Sequence, residues 1–189
     1  MRALCGFCCL LLGVLFLGGP SFAATDFAGA ITTRVVDTPP TPADSRPNSD
    51  AVPDSYALKG HFTGVVVVRV KSGVDLLAGI KQQVKAQNIR NGVILAGIGS
   101  LRSFHIHQVD NRSFPTRNIF TDAPQTPADL VGMNGYVVDG KVHAHMSLGT
   151  GEKAYSGHLE AGTEVFTYAI ITIGVLDIDL KGVDDKTYR

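Results

Sequence analysis

The 189 residues carry 17 basic and 17 acidic side chains, 44 % hydrophobic residues, three cysteines and no tryptophan. A chain of zero net charge without a run of one sign lacks the basic footprint expected of a dedicated nucleic-acid binder and gives no sign of an acidic or basic tail. The apolar content suffices for one core of ordinary domain size and leaves no room for two large ones.

Residues 3–19 are almost wholly apolar, follow Arg2, and give way to Pro20-Ser21-Phe22-Ala23-Ala24. A positive start, a short apolar stretch and a small-x-small site form the order of a secretory signal peptide, cut after Ala23. An uncleaved anchor is the alternative, since the stretch sits at the lower edge of spanning length. The expected location is therefore periplasmic or secreted, with no stable membrane anchor once 1–23 is removed. Cys5, Cys8 and Cys9 all lie in this leader, which leaves the mature chain without disulfide or thiolate chemistry. Residues 24–54 contain Pro39, Pro40, Pro42, Pro47 and Pro53, few large apolar side chains and an excess of acid. They read as a disordered, Pro-rich linker. The working domain is then 55–189, with 14 basic and 12 acidic residues.

The domain opens with the β-branched run Val65-Val66-Val67-Val68-Arg69-Val70, continuous enough to predict a strand buried on both faces. Ser72 and Asp75 have capping-box spacing, and Val74, Leu77, Ile80 and Val84 follow at helical period opposite Lys81, Gln82 and Lys85. This is the one main helix, ending near Asn88. Strands are expected over 92–98 and 101–109. The prolines at 115, 124 and 127 mark 111–127 as a long loop, a length that often signals function. A strand over 130–138 meets Asp139-Gly140, a tight-hairpin signal, and returns over 142–148. Strands at 155–159 and 164–173 complete an α+β domain: one helix with about seven or eight largely antiparallel strands.

The six histidines include two His-x-His pairs. In Val142-His143-Ala144-His145-Met146-Ser147-Leu148, strand alternation sends Val142, Ala144, Met146 and Leu148 one way and His143, His145 and Ser147 the other. Two imidazoles ~7 Å apart at Cα on one strand face can chelate one divalent metal if a third ligand arrives from elsewhere. His158 in the next short strand is the natural third, and Glu160 is a fourth ligand or an orienting acceptor. The bland alternative is a polar, solvent-facing strand. The pair His105-Ile106-His107 has less clean alternation and no third partner nearby in sequence, and His61 reads as surface. Gly97-Ile98-Gly99 lacks the third glycine and helix of a dinucleotide site, so a tight turn is expected there. Ser100 is not in a nucleophile elbow.

The helix at 74–88 followed by Gly92-Val93-Ile94-Leu95-Ala96-Gly97-Ile98-Gly99-Ser100-Leu101-Arg102 resembles the opening of the PPC domain, the plant and prokaryote conserved domain. His143-Ala144-His145-Met146-Ser147-Leu148, Gly157-His158-Leu159 and Gly162-Thr163-Glu164-Val165 resemble its later motifs, in the same order. The resemblance implies a compact fold with a strongly bent sheet, assembly as a homotrimer, and a metal, zinc foremost, at His143, His145 and His158. Plant members join the domain to an AT-hook, and no Arg-Gly-Arg-Pro hook occurs here. Their transcription-factor contact stretch corresponds to Thr126-Pro127-Ala128-Asp129-Leu130-Val131, so that partner surface is not retained. The resemblance brings no catalytic activity with it. The expectation is an exported, non-enzymatic protein that binds or senses a divalent metal or small ligand. The alternatives are a metal-dependent enzyme with a water on a three-histidine ion, which requires a nearby general base, and a DNA-binding protein.

Overall fold

The computed structural model describes residues 30–188, so the expected leader and cleavage site lie outside the described residues. In chain order the elements are β1 (Thr32–Asp37), β2 (Phe62–Lys71), α1 (Leu76–Ala86), β3 (Gly92–Leu101), β4 (Phe104–Val109), β5 (Arg117–Ala123), β6 (Ala128–Val138), β7 (Lys141–Gly149), β8 (Ala154–Leu159) and β9 (Val165–Leu176). The nine strands form one sheet, ordered β1-β5-β4-β8-β7-β6-β3-β9-β2 and antiparallel throughout. Register shifts in β2, β3 and β6 mark bulges, which bend and twist the strands that carry them. Among the described residues no helix is long and apolar enough to cross a membrane.

One face of the sheet is the core. Leu76, Ile80 and Val84 of α1 pack with Val68, Val70, Ile94, Val137, Ala144, Met146, Ile171 and Ile173, all buried. Burial of such side chains removes apolar area from water at about 25 cal/mol per Å². Asp75 is itself the helix cap, accepting from the Ala78 N–H at 2.7 Å, and its other oxygen accepts from Gly162 at 2.7 Å. This corrects the expected capping box: the Ser72 hydroxyl accepts from Arg102 instead. The hairpin between β6 and β7 turns at Asp139 and Gly140, both at positive φ as a tight primed turn requires.

Four further expectations are corrected. β2 is an edge strand, paired with β9 alone, and it alternates: Val68 and Val70 are buried while Val65 and Val67 are 60 % and 64 % exposed. The run of valines therefore covers the core with one face only. The loop expected over 111–127 contains β5, which pairs with β4 and β1. Its only fully buried residue is Ala123, so backbone pairing rather than an apolar pattern makes it a strand. β1 likewise falls inside the stretch read as a linker; its ladder with β5 gives Thr32–Asp37 a place that its composition did not suggest. Gly97 and Gly99 lie within β3, not in a turn. A Cβ on Gly97 would sit 2.6 Å from the Met133 Cβ and 2.9 Å from Ile171, so close packing under the sheet is what demands a small residue.

Candidate metal centre

The solvent-side face of the sheet carries a row of aligned residues. Cross-strand partners run Asn134 (β6), His145 (β7), His158 (β8), His107 (β4), Phe120 (β5) and Arg34 (β1). Each is opposite its neighbour because antiparallel register puts paired side chains on the same face, within mutual reach. His143 stands two residues from His145 on the same strand face, opposite Tyr136. The inward residues of β7, Ala144 and Met146, are buried, as the alternation requires.

This register brings the three histidines singled out in the sequence together. The ligand atoms of His143, His145 and His158 all lie within 4.8 Å of one another. Their rings are 5.5 Å (His143–His145), 4.9 Å (His143–His158) and 5.2 Å (His145–His158) apart at the centroids. His158 is half-buried and the other two stand exposed around it. Burial first, then the nearby His107 and His143 imidazoles, pushes the His158 pKa down to about 4. His145 is also held below the ordinary 6.5, by partial burial and then by His143 and His107. Neutral imidazole is the form that ligates a metal, so these surroundings favour the ligating state. A donor set of three imidazoles without thiolates fits zinc with an open fourth position.

The structure also gathers residues that the sequence left scattered. His107, whose pair with His105 had no third partner, lies 4.6 Å from the His158 ring, and its Nδ1–H donates to Glu160 Oε1 at 2.6 Å. His107, His158 and Glu160 form a second triad of ligand atoms within 4.8 Å of one another. Glu160 thus pairs with His107 and groups with His158 in this second triad. The signal for His107 was its His-x-His spacing; what could not be read was that β4 pairs with β8. Gly157 permits that pairing, because a Cβ there would sit 2.7 Å from the His107 carbonyl oxygen. His105 belongs to neither triad, its Nδ1 lying 2.8 Å from the Ala161 carbonyl. His61 is exposed beside Asp177, at 3.3 Å. Asp184 approaches His143 from the C-terminal segment at 3.8 Å.

The Plants and Prokaryotes Conserved (PCC) domain matches residues 58–177. Among solved structures, a metal-containing protein from Archaeoglobus fulgidus is 23 % identical, with a TM-score of 0.60 over 71 % of this chain and 96 % of that one. A plant- and prokaryote-conserved protein from Pyrococcus horikoshii is 27 % identical, with a TM-score of 0.54 over 66 % of this chain and 87 % of its own. A candidate DNA-binding protein from Bacteroides thetaiotaomicron is 13 % identical, with a TM-score of 0.52 over 64 % and 86 %. No curated protein matches the chain significantly.

Proposed function

The chain belongs to the Plants and Prokaryotes Conserved domain family, and on that premise we propose that it is a binding protein whose His143, His145 and His158 hold one divalent metal, zinc by the chemistry of its ligands. The observation that carries this reading is the convergence of three imidazoles from two paired strands to within 4.8 Å. The ligands project from a rigid β7–β8 ladder whose opposite face is core, so the site needs little ordering when the metal arrives. That the related Archaeoglobus fulgidus protein is described as metal-containing supports it. Catalysis by a metal-bound water would require a free general base beside the ion. Glu160, the carboxylate grouped with His158, accepts from His107, which supports the binding reading.

The reading extends to assembly and location. Val65, Val67, Leu95, Ile98, Phe166 and Tyr168 are large apolar side chains left 42 % or more exposed on the β2, β9 and β3 strands. Such a patch marks an interface, and we assign it to copies of the same chain, as a homotrimer of the kind the family resemblance implies. The leader reading places the protein in the periplasm or outside the cell. Mass spectrometry of protein from its native host should find Ala24 first; an intact Met1 in the soluble fraction would overturn export.

The metal is tested by elemental analysis of protein purified without chelators. We expect zinc in the wild type, and its loss from the 143/145/158 site in His143→Ala and His145→Ala with the fold retained. A wild type that contains no metal and takes none up would leave the strand a polar face.

A further inference from the structure

We propose that His107, Glu160 and His158 form a second divalent-metal site, joined to the first through a shared His158 to make a two-metal centre. The five side chains do not converge on a single point. Their ligand atoms fall into two triads, His143–His145–His158 and His107–His158–Glu160, and only His158 belongs to both. His158 lies between the others in the sheet, with His145 opposite it on β7 and His107 opposite it on β4. An imidazole has two ring nitrogens, so one ring can serve two ions, one through each nitrogen. On binding the second ion the His158 ring gives its remaining N–H proton to solvent and bridges as imidazolate.

The second triad has the build of a metal site in its own right. Two imidazoles and one carboxylate form a donor set used by catalytic zinc and by non-haem iron, with further positions open. His107 and Glu160 are both largely sheltered, with 22 % and 27 % of their side chains exposed, in contrast to an ordinary surface ion pair. Phe120 packs against the His107 ring at 5.0 Å, and Arg34 lies over Phe120 at 5.3 Å, so β5 and β1 wall the site on its outer side. A cavity of about 290 Å³ opens beside the row, lined by His107 and His145 together with Asn134, Ser147 and Ser156. It touches one residue from each triad, His145 and His107, while Val109 and Met146 add apolar wall, so the two ions of this proposal would border one space of mixed polarity. A small polar or anionic molecule that ligates both ions is the class of ligand this space fits.

The proposal shares only His158 with the single-metal reading, and the two fail differently. The full chain, stripped of metal and dialysed against buffered free Zn²⁺, is analysed for zinc per chain, with folding checked by circular dichroism. We expect two ions per chain in the wild type. Glu160→Gln, which keeps the shape of the side chain, and His107→Gln should each retain one. The His143→Ala/His145→Ala double variant should also retain one, held by the second triad, and His158→Ala should lose both. If the wild type takes up one ion, and Glu160→Gln and His107→Gln still hold it, the second site does not exist and the first stands. If instead His107→Gln loses all zinc, His107 belongs to a single shared site, and the two-metal centre is overturned. A wild type that binds none overturns both readings.

Discussion

On the solvent side of the sheet, the β2–β9–β3 end and the β7–β8–β4 portion occupy equivalent positions and carry opposite chemistry. The first presents Val65, Val67, Ile98 and Tyr168; the second presents His143, His145, His158 and His107. Beneath both, the inward residues are alike: Val68, Val70 and Ile171 under one, Ala144, Met146 and Leu159 under the other, all buried in the same core cluster. Period-two alternation separates the two tasks, because it lets every strand commit one face to folding while the other is free to differ. β6 joins the two territories, with Tyr136 and Asn134 opposite the histidines. The comparison teaches that the inner face specifies the sheet and the outer face specifies what the sheet does.

The largest effect should come from breaking the face that the two regions share. Phe104 is fully buried and packs on Tyr155 at 5.0 Å. Phe104→Ala should cost about 3–5 kcal/mol in denaturant unfolding and weaken metal binding and assembly together. His145→Ala, on the outer face, should leave metal-free stability within about 0.5 kcal/mol of wild type. It should remove the first site's share of the zinc-dependent rise in melting temperature and leave only what the second triad contributes; saturating ligand at a hundredfold excess over Kd adds about 2.7 kcal/mol at a single site. Equal destabilisation by the two substitutions would dissolve the division of faces.

A smaller and more selective effect is expected at the apolar end. Val67→Lys with Ile98→Lys places two cations on the exposed patch while leaving Val68 and Ile171 inside. Sedimentation equilibrium should show the oligomer dissociating, with zinc stoichiometry in the histidine region unchanged. An unaltered mass would mean that the patch is not the interface. Loss of zinc along with assembly would mean that the two regions are coupled rather than independent.

The sequence revealed the histidine region better than its surroundings for a physical reason. His143 and His145 declare their common face by alternation within one strand, and the tight Asp139-Gly140 turn and the short link to β8 bring His158 alongside through local pairing. The main helix was legible from its apolar period. His107 could not be placed, because it depends on β4 meeting β8 across more than 40 residues of chain, and no local pattern encodes that pairing. β1 and β5 were missed because they bury almost nothing; their stability lies in backbone ladders, and a hydrophobic pattern reports only burial. The valine run of β2 misled in the opposite direction. An outward face that is apolar yet exposed looks, in sequence, the same as one that is buried within the fold.

The smallest effect, and the one that distinguishes the two regions by charge alone, is the response of metal-free protein to acid. In the folded chain His158 is shifted to about 4 and His145 is shifted in the same direction, against an ordinary value of 6.5. Between those limits the unfolded chain binds more protons than the folded one, so unfolding stability rises with pH there. The contribution is present in full above about 6.5 and is lost progressively as pH falls toward about 4. His107, His143, His145 and Glu160 are the titratable groups facing His158; the three imidazoles deepen the shift and Glu160 opposes it. Asp177 and Asp185 are lowered from 3.8, so their contribution is lost in a more acidic range. The outward β2–β9–β3 residues include no histidine, and Val67→Lys with Ile98→Lys should therefore leave the slope between pH 6.5 and 4 unchanged. His158→Gln should flatten it. Urea midpoints of the metal-free proteins across that range measure the difference, and an equal slope in wild type and His158→Gln would show that the row of imidazoles is not what senses acid.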